Sequence, residues 1–225
     1  MGEGFQFVEI IVLAMIAAAI GLRLHRVLGR RTGHERPPSE VVERNTERAQ
    51  DPAQPATADA RAELADTQDA RFVHPDAATN ILDLKLADRT FDTETFITGA
   101  RWVYEEIVVA FAAGDESRLR PWVSDEVFAA FSGVIRDRRD KGLVGETTIV
   151  KLDGARIVDA ALAGRMAEVT VQFDSEMVTV VRDAEGRVVE GHPSVARPVV
   201  DRWTFARDVR SRDPNWALIA TGGAG

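Results

Sequence analysis

Residues 91–115 read FDTETFITGARWVYEEIVVAFAAGD, and this stretch decides the fold. Phe96, Ala100, Val103, Ile107 and Phe111 recur three or four residues apart. At about 3.6 residues per turn that spacing puts them on one face of a helix. Trp102, Tyr104 and Val108 flank the stripe and widen it, so the helix is expected to be well buried. Asp92 or Thr93 is placed to cap its start, with Glu94 favourable in the first turn. Gly114 is placed to stop it.

Moving C-terminally, a short helix is expected through Leu119, Pro121 and Trp122. Ser124 then caps another, whose inner face carries Val127, Phe128, Phe131, Val134 and Ile135. Arg136, Arg138, Arg139 and Lys141 sit near its C-terminal end, where the helix dipole favours cations, and Gly142 closes it. After Gly145 the period falls to two. Thr147–Leu152 and Ala155–Leu162 read as two strands or one bent strand. In the next strand Val169, Val171 and Phe173 alternate with Thr170, Gln172 and Asp174, and Val178 and Val180 continue it. A turn at Asp183–Gly186 leads to a return from Arg187 to Glu190. Pro193 and Pro198 bracket a break, and Asp201, Trp203, Phe205, Arg207 and Val209 then alternate with Arg202, Thr204, Ala206 and Asp208. A turn at Asp213-Pro214-Asn215 precedes a last strand at Trp216–Ile219. Helices first and antiparallel strands after is an α+β pattern. A long helix on a strongly curved antiparallel sheet makes a cone, and such cones enclose a pocket between helix and sheet. Phe96, Trp102, Phe111, Trp122, Phe128, Phe131, Phe173, Trp203 and Phe205 are its candidate core or pocket residues.

Moving N-terminally, Ile81, Leu82, Leu84 and Leu86 could form an arm packed on the domain or on a partner. Residues 32–71 hold few large apolar residues and are broken by Pro37, Pro38, Pro52 and Pro55, the composition of a disordered tether. The region before it, from Phe5 to Leu22, is interrupted only by Gln6 and Glu9. As a helix it would run about 27 Å, against a hydrocarbon core of about 30 Å. The basic residues Arg23, Arg26, Arg30 and Arg31 follow this run rather than precede it, the reverse of a secretory signal. The reading is an uncleaved single-pass anchor with its N-terminus outside and the folded domain cytoplasmic. The organisation is therefore an anchor with basic flank over residues 1–31 and an acidic linker over 32–75. An α+β domain follows over 76–225, its compact part about 91–221.

The net charge of −8 and the absence of cysteine exclude several classes. There are no disulfides, thiolate metal sites or cysteine nucleophiles, and no concentrated basic face for nucleic acid. His25, His34, His74 and His192 do not pair at helical spacing, so no metal site is expected. Neither a nucleophile motif nor a phosphate-binding glycine loop is present, and Gly222–Gly225 reads as a frayed tail. Asp174, Glu176, Asp201 and Asp208 are the strand carboxylates. Asp201 has the parity of Trp203 and Phe205 and is expected to face inward, with Arg207 as its partner. No acid–base pair can be placed, so no catalytic residue and no cofactor is assigned.

GARWVYEEIVVAFAAGDESRLRPWVSDEVFAAF and RWTFARDVRSRDPNWALIAT resemble the C-terminal domain of the mitochondrial import inner membrane translocase subunit 44 (Tim-44-like) family, nearest its bacterial membrane-anchored branch. The resemblance runs from about Phe91 to Thr221, and the oily segment followed by LGRRTG resembles that branch too. It implies a cone similar to nuclear transport factor two-like folds, with a large apolar pocket and association with a lipid surface. It also implies a non-enzymatic adaptor. Mitochondrial members tether a heat-shock chaperone to the translocation channel, and a related branch is a component of the mitochondrial ribosome. Here an anchor and an acidic tether replace the long N-terminal region of the mitochondrial members. The expectation is a bacterial inner-membrane adaptor presenting its domain to chaperone, translocon or ribosome components. The alternatives are a tethered module holding an apolar molecule or lipid in the pocket, and an isomerase or dehydratase.

Overall fold

A computed structural model describes residues 68–223. The anchor, most of the tether, His25 and His34 lie outside the described residues. Among those described, no helix is long and apolar enough to cross a membrane.

The chain opens with a 3-10 turn, Gln68–Arg71, and a second at Pro75–Ala77 that runs into α1, Ala78–Ala87. The long helix α2 spans Thr93–Ala113. Asp92 caps it, accepting from the Thr95 amide at 2.7 Å. Gly114 ends it in the left-handed region at φ 72°, where a side chain would be strained. The short helix α3, Glu116–Leu119, leads through a 3-10 turn to α4, Asp125–Asp140, capped by Ser124 as expected. Phe96, Ala100, Val103, Tyr104, Ile107 and Phe111 of α2 are all buried. Trp102 is not. It is 51% exposed and meets Trp122 edge-on at 5.0 Å. The stripe is wide on its Tyr104 side, while Trp102 on the other flank is left half exposed with Trp122 against one edge.

Five strands follow: β1 Val144–Ala163, β2 Met166–Arg182, β3 Val188–Gly191, β4 Arg197–Asp208 and β5 Ala217–Gly223. All pair antiparallel in the order β1-β2-β4-β5, and β3 pairs with the far end of β2. Thr147 to Leu162 is one bent strand. Three register shifts against β2, between Ile149 and Lys151, Leu152 and Gly154, and Ile157 and Asp159, bend it. Each bulge adds local twist, which curves the sheet round α2. Pro198 lies inside β4 rather than at a break, opposite Glu176. Gly222 and Gly223 pair with Arg202 and Asp201, so they extend β5 rather than fray.

The inward row is Ala155, Ile157 and Ala160 of β1, Ala167, Val169, Val171 and Phe173 of β2, Trp203 and Phe205 of β4, and Leu218 of β5. The packed core also reaches N-terminal to Phe91, to Val73, Ala77, Ala78, Ile81 and Leu84. The arm of residues 72–90 is thus built into the domain, although Leu86 points to solvent at 76% exposure. Both outer strands are hitched. His74 N donates to Ile157 O and Ile157 N to Phe72 O, each at 2.7 Å, on β1, and Ser124 N donates to Leu218 O at 2.9 Å on β5. Such cover blunts an open sheet edge.

Candidate functional site

Tyr104 is the one tyrosine of the chain and is fully buried on α2. Its ring stacks on Phe173 at 4.3 Å and leans on Trp203 at 4.7 Å. The register of β2 against β4 sets Phe173 opposite Asp201 and Ser175 opposite Val199. The two inward polar side chains therefore meet beneath the phenol. Tyr104 donates to Asp201 Oδ2 at 2.8 Å, and its hydroxyl lies 3.1 Å from Ser175 Oγ. Burial raises the pKa of Asp201, and the bond from Tyr104 offsets only part of that. Burial and the neighbouring Asp201 charge drive the phenol far above its ordinary value, so Tyr104 remains a donor.

Asp201 also faces a cavity of about 90 Å³ between α2, α4 and the sheet. Its wall is mainly apolar: Ile107, Val108, Phe111, Phe131, Met177, Val181, Val199 and Trp203. The pair Thr147 and Thr179, whose hydroxyls lie 3.2 Å apart, adds two polar atoms. The remaining charged group on the wall is Arg138. Its Nη1 donates to Ala112 O at 3.3 Å and its Nη2 to Phe111 O, and its guanidinium lies over the Phe111 ring at 4.9 Å. An α4 cation therefore closes the C-terminal end of α2, where the dipole favours positive charge. Burial pulls the Arg138 pKa down. Gly145 lets β1 pass this junction, since a Cβ there would come within 2.8 Å of both Ala112 O and Arg138 Nη1. The cavity is smaller than the resemblance implied because the Tyr104, Phe173 and Trp203 rings fill the middle of the sheet.

Arg207 is not the partner of Asp201. It binds Asp88, which follows α1, and lies over Trp216 at 5.2 Å. Burial raises the Asp88 pKa, but bonds from the Thr90 amide and hydroxyl and the charge and hydrogen bond of Arg207 together hold it below the ordinary value. Asp174 takes a bond from Gln172 at 3.2 Å, Glu176 is exposed, and Asp208 pairs with Arg165 at 3.3 Å. Asp174 faces a wide open groove over the outward side of the sheet, with Arg156, Glu168, Gln172 and Arg202, of mixed charge. His74 accepts from the Asp76 amide, and His192 accepts from the Ser194 amide in an exposed loop. Among the described residues no three His, Asp or Glu side chains gather as a metal site requires.

Of the aromatic candidates, Phe111, Phe131 and Trp203 reach the cavity, and Phe96, Phe173 and Phe205 belong to the solid core. The sequence reading missed Ser175 and the role of Tyr104. A single phenol within an apolar stripe was the available signal, because a buried tyrosine hydroxyl needs a partner.

A family model described as "Tim44-like domain" matches residues 77–223. The human mitochondrial import inner membrane translocase subunit TIM44 is 25% identical over 146 residues, 62% of this chain and 31% of that protein. The large ribosomal subunit protein mL45 of Drosophila melanogaster is 22% identical over 137 residues, 58% of this chain and 37% of that protein. The chain thus spans about a third of the length of these relatives. A solved structure from the NTF2-like family of Streptomyces avermitilis is similar with a TM-score of 0.33 at 13% identity, over 60% of this chain and 99% of that one.

Proposed function

The chain belongs to the Tim44-like domain family, and from that membership we propose that it is a non-enzymatic adaptor presenting this domain to protein partners at a membrane surface. The observation that carries the reading is the family match over residues 77–223, the whole of the helix-and-sheet unit from α1 to β5. The names of the human and fly relatives describe components of larger assemblies, a translocase and a ribosomal subunit. By that likeness the partners are translocon, chaperone or ribosome components. The apolar run from Phe5 to Leu22 and the arginines after it supply the anchor, leaving the domain cytoplasmic on a bacterial inner membrane. The cone is read as similar to nuclear transport factor two-like folds. Among the described residues Asp201 is bonded to Tyr104, with Ser175 beside that hydroxyl, and no carboxylate or histidine is bonded to it, which favours binding over catalysis.

The test is a pull-down with the full chain from detergent-solubilised membranes. Translocon, chaperone or ribosome components are expected, and their absence from repeated captures would remove the adaptor reading. Removing residues 1–31 is expected to move the protein from the membrane to the soluble fraction. A second reading, a tethered module for an apolar ligand, is favoured by the apolar cavity under α2.

A further inference from the structure

We infer that the cavity between α2 and the sheet binds a small neutral alcohol, whose hydroxyl donates to Asp201 Oδ1 while its carbons lie against the apolar wall. The inference rests on the cavity being a ligand site. Size comes first. A cavity of about 150 Å³ holds benzene, and this one is about 90 Å³. An occupant of roughly four or five heavy atoms fits, and a whole lipid does not.

The polar end of the ligand follows from what the wall has left to offer. Tyr104, a permanent donor, occupies Asp201 Oδ2, and among the described residues no other side chain hydrogen-bonds this carboxyl. Asp201 thus brings a carboxyl with one bonded oxygen to an otherwise oily wall. This carboxyl can accept a further bond, so a ligand hydroxyl gains a hydrogen bond that a plain hydrocarbon does not. A carboxylate ligand would set a second negative charge beside Asp201 in a poorly hydrated space. Arg138 on the same wall offsets part of that repulsion, but one N–H of each terminal nitrogen is already given to Phe111 O and Ala112 O at the end of α2.

The chain has few methionines, and two of them make a built-in comparison. Met177 lies on the cavity wall, and Met166 is exposed at the other end of β2. The experiment uses the full chain in lipid nanodiscs with labelled methionine methyls, titrated with xenon, 1-butanol and butyrate. The expected result is that xenon and 1-butanol shift Met177 saturably and leave Met166 unmoved. Butyrate is expected to need at least about tenfold more ligand, for the like-charge reason above. Asp201→Asn should shrink that gap to about twofold or less by strengthening butyrate binding. If xenon fails to shift Met177, the cavity is no ligand site and both readings fall. If xenon binds but 1-butanol does not, or 1-butanol and butyrate titrate alike, the ligand reading stands and the role given to Asp201 is overturned. Should Asp201→Asn fail to fold, Tyr104→Phe serves instead. It removes a competing donor and keeps the charge, so the preference for 1-butanol must persist, and its loss overturns the inference.

Discussion

Asp201 shows how one buried carboxyl makes stability depend on pH. Its folded pKa is raised by burial above the ordinary value. The folded state therefore holds the proton more tightly than the unfolded chain. The stability this proton contributes is fully present below about pH 4, the unfolded value, and is lost as pH rises through the folded value. Asp201→Asn should remove that loss. Urea midpoints of the variant and the parent protein are expected to lie closest at the acid end. The variant should gain relative to the parent as pH rises, and a gap that narrows on raising the pH would contradict the assignment. The inward direction of Asp201 was legible in advance, because its parity with Trp203 and Phe205 is a local property of one strand. Its partner was not. Tyr104 lies 97 residues away in sequence, and only the docking of α2 on the sheet brings the two together.

At the scale of elements the same contrast recurs. The spacing of Phe96, Ala100, Val103, Ile107 and Phe111 and the caps Asp92, Gly114 and Ser124 are short-range signals, and α2 and α4 form where those signals place them. Trp102 was assigned to the buried stripe because spacing alone does not reveal which flank of a helix has a neighbour. The Arg207–Asp88 pair joins residues 119 apart and holds the end of α1 against β4, a link that strand parity alone assigned to Asp201. Arg207→Leu would leave the Asp88 charge buried beside the Thr90 donors alone. A loss of about 3–5 kcal/mol is expected, as for other buried pairs broken on one side. Hydrogen exchange should show it first as faster exchange at Leu84 to Asp88. Unchanged protection there would mean that α1 does not depend on this pair.

The whole molecule has a clear lower limit. Val73, Ile81 and Leu84 are each about as buried as Trp203, so the helix-and-sheet unit is incomplete without them. A chain beginning at Phe91 strips that layer from β1. Each lost aliphatic costs about 2–5 kcal/mol in well-packed cores, so this truncation is expected to unfold, whereas one beginning at Gln68 should melt cooperatively. Equal melting curves would show that α1 is an accessory. The hitch at β1 carries a mechanical consequence. Any pull on the chain ahead of Gln68 meets the Asp69–Lys85 ion pair first and then Phe72 and His74, with their two short hydrogen bonds to Ile157. Under load these give way before the long antiparallel ladder between β1 and β2, where many bonds share the strain. The junction is then a fuse: force arriving from ahead of Gln68 is expected to peel α1 away and open the core at β1, while the ring stack under α2 is still held by the rest of the sheet.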